Sequence, residues 1–195
     1  MKKITLIAAS LFFMMGAATA QKHVYFGLKG GLNASSLSTS GSSQKLGFNA
    51  GALMHIHTNN KSWGIQPELL YSLEGAKVPV VGNNSKADVN LSYLNVPVLV
   101  QYMWDNGFRL EAGPQFGFLM SAKQKLNGSS TDVKSNFKSF NFSIPVGLGY
   151  LTRYGLGFDA RYNIGVSNIN NQPGTVRGNT FQFGIFYQFD DTKMK

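Results

Sequence analysis

Eight stretches of this chain alternate apolar and polar residues with a period of two, each about the ten residues that a tilted strand needs to cross a bilayer. They run over 22–33, 46–57, 63–74, 91–104, 108–122, 139–151, 155–167 and 179–189. Successive side chains of a strand point to opposite faces, so each stretch has one greasy and one polar side. The first puts Val24, Phe26, Leu28 and Leu32 on one side, and the last does the same with Phe181, Phe183, Ile185, Tyr187 and Phe189. A helix would scatter these residues around its axis. The pattern predicts an all-β chain, an eight-stranded antiparallel up-and-down transmembrane β-barrel.

The connections alternate as well. "TNNKS" (58–62), "DNG" (105–107) and "TRYG" (152–155) read as tight turns, and Asn106-Gly107 is a hairpin signal because both residues tolerate positive φ. Between them lie long polar connections at about 34–45, 75–90, 123–138 and 168–178. Tight turns at one end and long loops at the other are the pattern of an outer-membrane barrel. Asn127-Gly128 inside the third long connection predicts a hairpin that extends beyond the membrane.

A soluble eight-stranded barrel turns its apolar face inward, and a membrane barrel turns it outward. The polar face decides between them. It is rich in glycine, including Gly27, Gly31, Gly51, Gly113, Gly147, Gly149, Gly157 and Gly184, and glycine offers a water-facing strand nothing but entropic cost. The crowded interior of an eight-stranded barrel, where small side chains alternate with large ones, gives it a use. In "RLEAGPQFGFLM" the interior face is then Arg109, Glu111, Gly113, Gln115 and Gly117, continuing to Ser121. Lys29, Arg109 and Arg161 share the lumen with Glu68, Glu111 and Asp159, which predicts a connected ion-pair network, with Gln66, Asn95, Gln101, Gln115, Asn163 and Gln182 filling gaps. Trp63, Tyr102, Trp104, Phe108, Tyr150, Tyr187 and Phe189 gather beside the short turns and strand ends, as an interfacial aromatic girdle would. Pro67, Pro97, Pro114 and Pro145 fall inside strands and predict local bulges or register breaks.

The start of the chain, "MKKITLIAASLFFMMGAATAQ", has a basic pair, an apolar run and Ala18-Thr19-Ala20, the layout of a cleaved export signal. Residues 1–20 are therefore read as signal peptide and 21–195 as one barrel domain. The formal charge of +9 falls to about +7 once Lys2 and Lys3 leave, and an exported basic chain points to anionic surfaces rather than to nucleic acid. With no cysteine there is no disulfide framework. The outer connections hold Lys45, Lys77, Lys86, Lys123, Lys125, Lys134, Lys138 and Arg177 against Asp88 and Asp132, a set of cations suited to the phosphates of lipopolysaccharide.

Catalytic motifs are lacking. His55 and His57 share the lumen face and would need a third ligand to hold a metal, so they are read as polar filler at the barrel mouth. Glu68 and Glu111 can mimic an acid pair, but pairing with Arg109 and Arg161 is the heavier reading. No cofactor is expected, and no metal.

The strings "FGLKGGLN" (26–33), "IQPELLYSLEGAK" (65–77), "YLNVPVLVQY" (93–102), "LEAGPQFGFLMSAK" (110–123) and "DARYNIGVSNI" (159–169) resemble the PorT-like outer-membrane β-barrel family, small porin-like barrels of Gram-negative bacteria. The resemblance implies a fold and an outer-membrane location, and some relatives are associated with protein secretion across that membrane. It carries over no catalytic motif. The expectation is a small outer-membrane barrel with a packed polar lumen and a structural or surface-interaction role, in contact with lipid, with lipopolysaccharide or with a protein at its outer loops. A narrow porin-like channel is the alternative reading, and an outer-membrane enzyme a third.

Overall fold

The structure, a computed structural model, describes residues 24–80, 86–126 and 128–189. Residues 1–20, read above as a signal peptide, lie outside the described residues, as does His23. Ten strands form: β1 (Val24–Leu37), β2 (Lys45–His57), β3 (Trp63–Pro79), β4 (Lys86–Met103), β5 (Phe108–Ala112), β6 (Gln115–Leu126), β7 (Ser129–Asp132), β8 (Phe140–Leu151), β9 (Leu156–Gly165) and β10 (Gly178–Phe189). β5 and β6 are two halves of one wall strand, both lying between β4 and β8. β1 pairs with β2 on one side and with β10 on the other, which closes a ring of eight antiparallel strands.

Each turn fits its chemistry. Gly107 (φ 94°) and Gly155 (φ 87°) supply the left-handed residue of two short turns, and Asn106 Oδ1 accepts from Phe108 N at 3.2 Å. β7 folds back on β6 with Leu126 opposite Ser129, so the hairpin read from Asn127-Gly128 is present, with Gly128 at φ 83°.

Three of the four long connections are shorter than the sequence suggests, because the wall continues past the greasy part of the pattern, while the fourth spans 166–177. Lys77 pairs with Asp88, and Asp88 with Lys125, so residues assigned to loops are strand residues. There the outward side chains are polar, and small inward residues such as Ala76 and Ala87, both buried, give too weak an alternation to mark a strand.

The prolines also depart from expectation. Register is held across Pro67, Pro97, Pro114 and Pro145: Pro67 faces Val98, Pro97 faces Gln115, Pro145 faces Asn163, and β5 and β6 keep one common register on β4. A proline deletes an N–H but keeps its carbonyl, and here Pro145 O accepts from Gly113 N (3.2 Å) and Pro114 O from Val98 N (2.9 Å). The register shift lies elsewhere, at Ser92/Tyr93, with Met120 as the extra residue of β6. It reverses the phase beyond it: Ser121 faces Ser92 on the outward side and Ala122 turns inward, contrary to the strict alternation read from the sequence.

The outward wall is apolar and uncovered, with Leu32 66% and Phe183 59% exposed. The inward face is polar and closed. Near the long connections the interior turns apolar again: Leu37, Ala76, Val89, Leu91, Tyr93, Leu119, Ala122 and Ile169 pack together, flanked by Val133, Phe137 and Val176. Ile169 reaches this plug because its connection folds inward, with Lys138 N donating to Ile169 O (2.8 Å) and Asn171 Nδ2 to Phe137 O (2.9 Å).

Candidate functional site: a layered lumen and a basic rim

Below the plug, the lumen is built in layers. Nearest to it lies a carboxylate that the sequence reading missed, Glu74. It accepts from Ser72 Oγ and Asn95 Nδ2, each at 2.9 Å, and from Thr180 Oγ1 at 3.4 Å. Asn33 extends this layer, donating to Ser72 Oγ at 2.8 Å and accepting from Asn49 Nδ2 at 2.7 Å. Glu74 is in phase with Gln66, Glu68 and Ser72, and that was the available signal. The greasy alternation ends at Leu73, so nothing else in the pattern marks Glu74 as interior.

The middle layer joins five of the six charges predicted for the lumen. Arg161 is the hub: its Nη1 and Nη2 each donate to Glu68 at 2.7 Å, its Nε donates to Glu111 Oε1, and Asp159 Oδ1 lies 3.6 Å away. Lys29 Nζ donates to Asp159 at 2.8 Å and lies 3.9 Å from Glu68. All five are buried. Two cations thus face three carboxylates in low-dielectric surroundings, where an uncompensated charge is costly.

Arg109 supplies the balancing charge without joining an ion pair within 4 Å. Its Nη1 donates to Gln101 Oε1 at 3.4 Å, Gln101 Nε2 donates to Glu111 at 2.8 Å, and the guanidinium sits 5.6 Å from the Phe186 ring centroid. Phe186 is an inward aromatic that the alternation did not single out, seated against Gly157, where a Cβ would collide with its ring. Among the predicted fillers, Gln66 donates to Glu68 at 2.7 Å, while Gln115, Asn163 and Gln182 are buried nearby.

His55 and His57 stand at the short-turn end, ring centroids 4.6 Å apart and edge to face. Among the described residues, no group of three or more His, Asp or Glu is placed to hold a metal ion. Outside the same end, Trp63, Tyr102 and Trp104 meet edge to face at 5.1 and 4.9 Å, Phe108 meets Tyr150 at 5.1 Å, and Tyr187 meets Phe189 at 5.4 Å.

At the opposite rim, Lys77, Lys123, Lys125, Lys134, Lys138 and Arg177 are exposed, and Lys45 is half-buried. Asp88 separates Lys77 from Lys125 across three neighbouring strands, and Asp132 faces Lys123. Lys86 Nζ donates to Ser43 Oγ and Lys134 Nζ to Met120 O, both at 2.9 Å, so these two hold the rim together.

Solved structures share this architecture. Neisserial surface protein A matches with a TM-score of 0.62 at 15% identity, over 86% of this chain and all of that one. Ail, the attachment invasion locus protein of Yersinia pestis, gives 0.52 at 19% identity, over 85% and 98%. A major outer membrane protein from Thermus thermophilus gives 0.54 at 11% identity, over 85% and 99%. At these identities the likeness is one of fold. A comparison with curated proteins finds no significant sequence match. The family model described as "Outer membrane protein beta-barrel domain" matches residues 19–171. An apolar outer wall, a closed ring and that match over well more than half of the sequence lead to one conclusion: the chain belongs to the outer-membrane protein β-barrel domain family.

Proposed function

We propose that this protein is a non-conducting outer-membrane barrel whose long-loop end binds anionic groups at the cell surface, the phosphates of lipopolysaccharide foremost. One observation carries the reading: Lys77 on β3 and Lys123 and Lys125 on β6 stand exposed on either side of β4 above the apolar belt, with Asp88 and Asp132 as the acidic neighbours in register. Phosphate oxygens accept charge-assisted hydrogen bonds from such groups. A barrel of the same fold, Ail, has been solved with the heparin analogue sucrose octasulfate, and this chain's rim offers comparable chemistry to a polyanion. Export through a cleaved segment at 1–20 and an aromatic girdle at Trp63, Tyr102, Trp104, Phe108, Tyr150, Tyr187 and Phe189 belong to the same reading. So does the absence of enzymatic activity, because no histidine lies in the outer connections to serve as a base.

The test is binding of lipopolysaccharide to the barrel in nanodiscs, at low and high salt. The parent binds with an affinity that falls as salt rises, and the combined Lys77→Ala, Lys123→Ala and Lys125→Ala variant loses most of it. Equal binding by parent and variant would sink the proposal.

The narrow channel is favoured by one feature, the open mouth at the short-turn end, but the apolar plug opposes it. Single-channel recording in planar bilayers separates the two, and silence is expected. A role as an accessory to secretion, suggested by the PorT-like strings, would appear as a specific partner crosslinked from intact outer membranes.

A further inference from the structure

The short-turn end of the lumen opens into a cavity of about 540 Å³, a size that admits a small organic molecule. Two side chains of its wall are more than nine-tenths buried and yet hold a nitrogen without a hydrogen-bond partner: Nε of Arg109 and Nε2 of Gln188. Buried polar groups are ordinarily satisfied, so two on the wall of one cavity call for a common explanation. Among the described residues the wall also carries Lys61, with Asp105 as an acidic member. Tyr25 adds a flat apolar surface. The five charges of the middle layer touch one another directly, whereas Arg109 is hydrogen-bonded to that layer through Gln101.

We propose that this mouth is a binding site for a small organic oxyanion, a carboxylate or phosphate carried on a flat apolar body. Arg109 and Lys61 hold the oxyanion, since a guanidinium matches its geometry and a lysine adds a point charge. Gln188 donates to the same group, and Tyr25 packs against the body. The site lies at the opposite end from the basic rim and does not depend on what the rim binds.

The test uses the full mature chain, folded in a non-ionic detergent so that no phosphate headgroup competes, and titrated with phenyl phosphate, benzoate and neutral phenol by calorimetry. Saturable binding of at least one anion is expected, with phenol bound much more weakly. Arg109→Gln lowers the affinity roughly tenfold or more, the scale of one lost charge-assisted hydrogen bond. Because Arg109 also touches the lumen lattice, Lys61→Gln in the exposed turn is the second variant, with a loss of several-fold. No saturable binding of either anion below about 10 mM overturns the proposal. Equal binding of phenol, or binding that survives both variants, overturns it too. Binding that falls with Lys123→Ala and Lys125→Ala instead would locate the anion at the rim and also sink it.

Discussion

Lys29 reaches Asp159 across an intervening strand, its Nζ 2.8 Å from Oδ1 and 2.7 Å from Oδ2, and Gly184 of β10 forms the saddle beneath the pair. A Cβ at Gly184 would lie 2.7 Å from Lys29 Cε and 2.9 Å from Asp159 Oδ1. Gly147 stands in the same relation to Arg161 and Gly149 to Arg109, with Cγ atoms 2.8 and 3.1 Å from where a Cβ would sit. Lumen glycines therefore make room for long charged side chains to cross between strands.

Gly184→Ala is expected to destabilise the barrel by about 1–3 kcal/mol, the usual cost of overpacking a filled interior. Urea titration of the protein folded into lipid vesicles measures it. An unchanged midpoint would mean that the ion pair moves aside freely.

Arg161→Met leaves Lys29 alone among Glu68, Glu111 and Asp159, and a cost of about 3–5 kcal/mol is expected for stranding buried charge. Adding Glu68→Gln and Glu111→Gln to that variant should recover part of the loss. A mutant cycle in which the three changes simply add would argue against a coupled layer.

Phe116 belongs to the outward wall and touches Phe142, ring centroids 5.6 Å apart. Phe116→Arg should cost about 2–4 kcal/mol if the site is near the bilayer midplane. The measurement is folding free energy in vesicles, compared with Gln115→Glu on the opposite face, whose effect depends on lumen partners rather than on lipid.

Ile169 is 1% exposed inside the plug. Ile169→Asp puts a carboxylate among apolar side chains, so the 166–177 connection should lift out and become cleavable by added protease while the wall stays intact. Brief conductance steps in planar bilayers are the second readout. Full protection of the connection would show that other contacts hold it down.

Much of this fold is legible in the sequence, because a barrel in lipid obeys one rule along every wall strand. Phe26, Val98 and Phe183 must face outward and Glu68, Gln101 and Arg161 inward, so the period-two pattern carries both strand positions and facing. The pattern fails where that rule lapses. Lys77, Lys86 and Lys125 extend strands past the apolar belt, where exposed cations alternate with small buried residues such as Ala76 and Ala87 and no greasy outward face marks the strand. Met120 inserts one residue and inverts the phase, so Ser121 and Ala122 trade faces, a local event with no composition of its own. Ile169 sits in a polar connection and becomes core only through tertiary contact. For the lumen, residue type and face yield the membership of the charged layer, but not that Arg161 would be its hub or that Arg109 would stand apart, since those depend on side-chain reach around a closed ring.

The apolar plug at one end and the open mouth at the other give the interior the form of a cup. A solute that enters such a vessel exchanges with one compartment only, so it can be held or displayed but not handed across. Occupancy would follow the concentration on that side alone, whatever gradient exists over the membrane.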